Sequence, residues 1–249
     1  MSEILAPQVA SANRVRGFVD VLGTAAQWPS VQQQPGDGYF PDRRRLPLPE
    51  GPVTLEIAQV QRGASGRSPL AGDEFVLVVE GDITLEQTGA RLALTAGEAA
   101  VVVRERSLDW RSDGGAKLVV MRCSEAGGAG AAGPVRIDQR AELAPSNPPA
   151  ADVLIGPTPQ CRGHSDYRSG SGEFACGTWD STPYKRRLIN FPHYELMRLL
   201  EGSVTFVDAA GREGTFGPGD VILFEQGGGA AWESRGYVKK IYSTYRPAG

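Results

Sequence analysis

The sequence predicts an all-β chain folded as two tandem barrels. A long segment occurs twice, each copy breaks into short aliphatic runs between turn residues, and helical periodicity is almost absent. The repeat runs from Asp73 to Lys117 and again from Tyr194 to Lys239. One spacing relates Glu74 to Glu195 and Gly81 to Gly202. A spacing longer by one residue relates Gly89 to Gly211, Gly97 to Gly219, Trp110 to Trp232 and Lys117 to Lys239, so one residue is inserted in an intervening turn. That spacing is about half the chain, which makes this a duplication rather than a many-unit solenoid.

In the first copy, residues 75–79, 83–85, 99–103 and 118–120 read as strands. Glu80-Gly81-Asp82, Thr88-Gly89, Ala96-Gly97-Glu98 and Asp113-Gly114-Gly115 separate them as turns. The second copy repeats the punctuation with Glu201-Gly202, Ala210-Gly211 and Gly217-Pro218-Gly219-Asp220. Residues 139–143 read as one turn of helix. The expected division is an N-terminal half over 1–125 with its barrel core at about 50–123, a linker at 126–134, and a C-terminal half over 135–249 with its core at about 170–246. Gly128, Gly130 and Gly133 have dinucleotide-fingerprint spacing. That motif needs a helix after its last glycine, whereas Pro134-Val135-Arg136-Ile137 reads as a strand, so a linker is expected. Arg43, Arg44 and Arg45 fall in residues 32–50, a Pro- and Gly-containing stretch expected to be a solvated surface loop.

Composition excludes several partners. Twenty-six basic and 29 acidic side chains leave a net charge of -3, with no basic excess to displace counterions from nucleic acid. No apolar run reaches the length of a membrane helix, and the first residues lack the charge and apolar pattern of a secretory signal. Three cysteines do not make a disulfide framework and suit a reducing, cytoplasmic setting. Cys161 and Cys176 are expected to be buried, and Cys161 with His164 falls short of the four ligands of a structural zinc site.

The Glu-to-Gly element (Glu74 to Gly81, Glu195 to Gly202), the turns at 96–98 and 218–220, and the Trp with Lys seven residues on resemble the cupin double-stranded β-barrel. The ending resembles the cupin family that includes ureidoglycine aminohydrolase and ethanolamine-utilisation cupins. The resemblance implies a bicupin with two jelly-roll barrels. It also implies a metal site of three histidines and the motif glutamate, suited to Fe, Mn, Ni or Zn.

The chain departs from that pattern. The imidazole positions fall among Leu188, Ile189, Asn190 and Phe191, and among Arg67, Ser68, Pro69 and Leu70. The third ligand falls near Leu108 and Ala230. His164 and His193 are the protein's two histidines, so no three-His site can form and no cofactor is expected. The nearest approach to a metal site is His193 with Glu195, two apart on one strand and so on one face.

Glu74 and Glu195 remain in barrels that should be apolar, where an ionised carboxylate needs a partner. Lys117 and Lys239 recur, and each either neutralises the glutamate of its own barrel or points outward and snorkels, since alternation alone does not set the facing of their strand. If Glu195 faces inward, so do Met197 and Leu199, while Leu196, Arg198 and Leu200 face out. Phe75, Leu77 and Val79 form an outward apolar face that needs a cover, which the other barrel or a second chain would supply, and a homodimer on these strands is expected.

The expected function is binding of a small polar molecule in the C-terminal barrel. Glu195, Met197, Trp232 and Lys239 would line it, and Glu74, Trp110 and Lys117 would be their counterparts in the first barrel. Trp110 and Trp232 are expected mainly to pack the walls. Two enzymatic readings stand beside it: metal-dependent carbon–nitrogen chemistry implied by the resemblance, with His193, Tyr194 and Glu195, and metal-free isomerisation or epimerisation using Glu195 with a tyrosine such as Tyr184, Tyr242 or Tyr245.

Overall fold

The computed structural model describes residues 15–31, 42–125, 128 and 130–248, with residues 65–68 described by their backbone alone. Strands dominate, and all their pairings are antiparallel. The chain is all-β, built of jelly-roll barrels, as the repeat implied. In the C-terminal half, a seven-stranded sheet runs in the order Val19–Asp20, Val221–Phe224, Tyr194–Glu201, Val238–Tyr245, Phe174–Ser181, Cys161–Arg168 and Ala144–Ser146. A four-stranded sheet of Tyr184–Asn190, Gly229–Ser234, Val204–Asp208 and Glu213–Phe216 closes over its inner face. In the N-terminal half, the long strand Asp73–Gln87 serves both layers. Its first part pairs with Ala99–Val102 and Ala116–Cys123, and its last part with Ala90–Thr95 and Ser107–Ser112.

The repeated glycines sit where these strands bend. Gly81 and Gly202 have φ of 77° and 75°. A Cβ on either would collide with a backbone carbonyl of the facing strand, that of Gly115 or Tyr237, so only glycine fits. A bulge precedes each, between Val78 and Glu80 and between Leu199 and Glu201. The Gly97 and Gly219 amides fasten the bulges by donating to the carbonyls of Val78 and Leu199.

Two short strands cross between the halves. Val19–Asp20 pairs with Val221–Phe224, and Val135–Arg136 pairs with Ala99–Val102. Residues 139–143 form a turn rather than the expected helix, closed by the Ala141 amide on the Asp138 carbonyl. The helical pieces lie at Val21–Thr24, Ala25–Gln27 and Ala151–Val153. Among the described residues no helix is long and apolar enough to cross a membrane.

Three apolar clusters follow from strand alternation. One fills the first barrel with Val76, Val78, Leu85, Trp110, Leu118 and Val120. Another fills the second with Phe191, Met197, Leu199, Phe206, Phe224 and Trp232. The third lies between the halves and joins Phe75, Leu77 and Met121 of one sheet to Leu196, Leu223 and Ile241 of the other. The apolar face of Phe75, Leu77 and Val79 is therefore covered within the chain. Phe75 and Leu77 are buried with no second molecule present, so these strands offer no free face for the expected homodimer.

The arginine run also differs from expectation. Of residues 32–50, 32–41 lie outside the described residues, but Asp42–Arg45 is a strand paired with Val53–Val60. Arg43 is buried on the carboxylate of buried Glu56 at 2.9 Å, and Arg45 reaches the other oxygen at 2.6 Å. A charge run reads as a solvated face only while the buried acid that recruits it goes unnoticed. Most of the glycine-rich linker lies at or beside undescribed positions 126, 127 and 129, and the strand expected after Pro134 is present.

Candidate functional site in the C-terminal barrel

Glu195 projects into the second barrel on the same face as Met197 and Leu199. Its Oε1 accepts from Lys240 Nζ at 2.6 Å, and its Oε2 lies 3.3 Å from His193 Nε2. On the far side of the imidazole, Arg246 Nη2 donates to His193 Nδ1 at 3.0 Å. A guanidinium can only donate, so Nδ1 must accept, which places the ring hydrogen on Nε2, facing Glu195. Burial drives the Glu195 pKa upward. The Lys240 ammonium and the hydrogen bonds from His193 and Lys240 more than offset it and hold the carboxyl below the usual carboxylate range.

Lys240 is the residue that the repeat concealed. Its ammonium lies 3.9 Å from Met197 Sδ, 4.9 Å from the Trp179 ring centre and 5.5 Å from that of Trp232. Trp232 is a buried wall residue, stacked on Tyr184 at 5.3 Å and edge-on to Trp179. Arg186 is a second buried cation in this barrel. It donates to the Ala230 carbonyl at 2.7 Å, and burial lowers its pKa. Tyr242 lies on the strand beside Glu195 and is half-buried; burial raises its pKa, countered in part by a hydrogen bond with Ser165.

Several expected roles move. Lys239 lies on the outer surface beside Leu200 and Glu201, not against Glu195. Lys117 also points outward, 3.5 Å from exposed Glu80. Glu74 is neutralised by Arg122 at 2.5 Å, its direct cross-strand neighbour. The first barrel around it is packed with aliphatic side chains, and Trp110 is part of that packing. Tyr194 and Tyr245 face the core between the halves, away from Glu195. Cys161 and Cys176 are buried free thiols, as expected, and Cys161 does not join His164 in a metal cluster.

The donor set does not fit a transition ion. Among the described residues no three His, Cys, Asp or Glu side chains converge as ligands. In the second barrel both Glu195 oxygens and both His193 nitrogens are already engaged, and an ammonium stands within contact distance of the carboxylate. A divalent ion would have to displace that ammonium and would gain two ligands at most.

Tandem antiparallel barrels, with a motif glutamate turned into each, define a cupin-superfamily protein. Residues 168–242 match the family model described as the EutQ-like cupin domain. The chain is similar to a protein of unknown function from the DUF861 family of Pseudomonas syringae pv. tomato, with 28% identity and a TM-score of 0.82 over 89% of this chain and 93% of that one. It shares its fold with protein Ylba from E. coli, also DUF861, at 13% identity and a TM-score of 0.54 over 98% and 91% of the two chains. It likewise shares the fold of Streptomyces albus HEPD, solved with 2-hydroxyethylphosphonate and Fe(II) bound, at 9% identity and a TM-score of 0.57 over 94% and 77%. No curated protein matches the sequence.

Proposed function

We propose that this chain is a metal-independent bicupin whose C-terminal barrel binds a small polar metabolite bearing a carboxylate or a comparable anionic group. One observation carries the reading: Lys240 Nζ stands 2.6 Å from Glu195, in the place where the resemblance puts a metal ion. With Arg186 buried in the same barrel, two cations face one carboxylate, and the excess positive charge favours an anionic guest. The indoles of Trp179 and Trp232 supply the apolar wall beside it.

Acid–base catalysis by Glu195 and Tyr242 is the weaker reading. A general base works best with a pKa near ambient pH, whereas Glu195 is held low and Tyr242 is pushed up. Titration calorimetry with a panel of small mono- and dicarboxylates tests the proposal. Saturable binding by the native protein, weakened at least tenfold in Lys240→Met and in Arg186→Met, is expected. Carboxylate binding that ignores both substitutions, or a panel that binds nowhere, would overturn it. So would a stoichiometric transition metal in protein purified without chelators.

A further inference from the structure

A second concentration of cations lies outside both barrels, in the cleft where the halves meet. Two adjoining hollows of about 510 and 460 Å³ share Gln139, Arg140 and Arg198. The N-terminal half contributes the turn Ala96-Gly97-Glu98, the connecting segment contributes residues 136–140, and the C-terminal half contributes Arg198, Gly219 and Lys239. Arg198 leaves its strand on the face opposite Glu195, so this cleft is separate from the barrel site.

Four cations, Arg136, Arg140, Arg198 and Lys239, line these hollows against the three carboxylates of Glu98, Asp138 and Glu201. Arg198 is half-buried, and among the described residues its one side-chain hydrogen bond is a 3.4 Å contact to the Gly97 carbonyl. Among the described residues Arg198, Arg140 and Lys239 make no ion pair. Arg43 and Arg122, also withdrawn from water, each rest on a carboxylate at 2.9 and 2.5 Å. Three carboxylates share the lining with these cations, and Glu98 also attracts Arg140. Glu98 takes Arg136 at 2.5 Å, Asp138 accepts from the Arg140 amide at 2.9 Å, and Glu201 is exposed. Desolvation alone acts on Arg198 and lowers its pKa, the sign of a cation held without its counter-charge. The floor is fixed: Gln139 Nε2 donates to the Gly97 carbonyl at 2.7 Å. Gly97 itself lies so close that a Cβ on it would stand 3.3 Å from Arg198 Nη2.

We infer that this cleft binds a compact multivalent oxyanion, a phosphate or a di- or tricarboxylate, with Arg198 as anchor and Arg140 and Lys239 at the rim. The bound anion would touch both halves and the segment that connects them.

The test is anion titration of the full chain at constant ionic strength, read by melting temperature and calorimetry, with inorganic phosphate, citrate and chloride. Phosphate or citrate should stabilise the native protein saturably while chloride does not, and the arm that saturates identifies the oxyanion class. Arg198→Met should weaken that binding at least tenfold, and without anion it should melt no lower than the native protein, because an unpaired guanidinium has gone. If Arg198→Met does not fold, the rim substitutions Arg140→Ala and Lys239→Ala decide, each with an expected several-fold loss. Lys117→Ala, on the outside of the first barrel, should bind as the native protein does. Absence of saturable binding for both oxyanions, or unchanged binding in the Arg198, Arg140 and Lys239 variants, would overturn the inference.

Discussion

Replacing Lys240 by methionine removes the ammonium that Glu195 rests on while keeping an unbranched side chain beside Met197 and the two indoles. The side chains of the pair are 9% and 17% exposed, so water can do little to solvate a stranded carboxylate. Removing one partner of a buried ion pair costs about 3–5 kcal/mol. His193 still faces Oε2, which puts the expectation near the lower figure. For a chain of this length about 3 kcal/mol corresponds to a fall in melting temperature of roughly 6–12 °C. The double replacement Lys240→Met with Glu195→Met should recover most of that loss, since exchanging both charges for apolar groups is near neutral.

The pH dependence carries a sign of its own. In the native protein the Glu195 pKa is lowered, so its stabilisation is complete above the unfolded carboxyl value of about 4.3 and is lost as pH falls below it. In Lys240→Met burial is no longer offset by the ammonium, the pKa rises, and the deficit should shrink as the pH is lowered. Denaturant melts of the native, single and double variants from about pH 2 to pH 8 measure each of these. A loss below about 1 kcal/mol in the single variant, or no recovery in the double, would refute the account of an internal counter-ion.

Further expectations concern the rest of the chain. Arg43→Ala should cost about 3 kcal/mol in a denaturant melt by stripping buried Glu56 of its better-buried partner, whereas Lys117→Ala should cost less than about 0.5 kcal/mol because its pair with Glu80 is solvated. Arg16→Ala should lower the melting temperature measurably. Glu225 is fully buried, its pKa is raised by desolvation, and Arg16 supplies both its backbone amide, at 2.9 Å, and its guanidinium. Cys123, Cys161 and Cys176 should resist a thiol-specific reagent in the native protein and react together on unfolding, since all three are buried and burial raises the Cys161 and Cys176 pKa values.

The repeat made the architecture legible because glycine at a bend is dictated by backbone geometry, as at Gly81 and Gly202, and survives divergence of everything around it. Alternation likewise gave the facing of Glu195, Met197, Leu199 and Arg198 correctly. The counter-ions were not legible, for a specific reason. The two halves solve one electrostatic problem from different positions of equivalent strands. Arg122 stands directly opposite Glu74, where the second half has Thr244 opposite Glu195; Lys240 stands opposite Leu199, where the first half has Leu118 opposite Val78. Matching the copies therefore selected Lys117 and Lys239, the lysines that do recur, and these face outward. Glu56 was missed because it lies outside the repeat, and Glu225 because the first copy has Val103 at the matching place; their arginine partners lie 13 and 209 residues away in the chain.

The pairing of Val19 with Leu223 has a consequence for how the molecule is made. The segment that carries Val19 leaves the ribosome long before its docking strand, Val221–Phe224, is synthesised. Phe18, which packs on Phe206 and Phe216, and Val21 must therefore stay without their final neighbours until that strand has been made. Closure of such a distant contact demands a large loop-entropy payment, which makes late, slow completion of the C-terminal barrel the expected course of folding. A nascent chain stalled before residue 221 would carry that segment undocked and open to a protease, and release of the full chain would bring its protection.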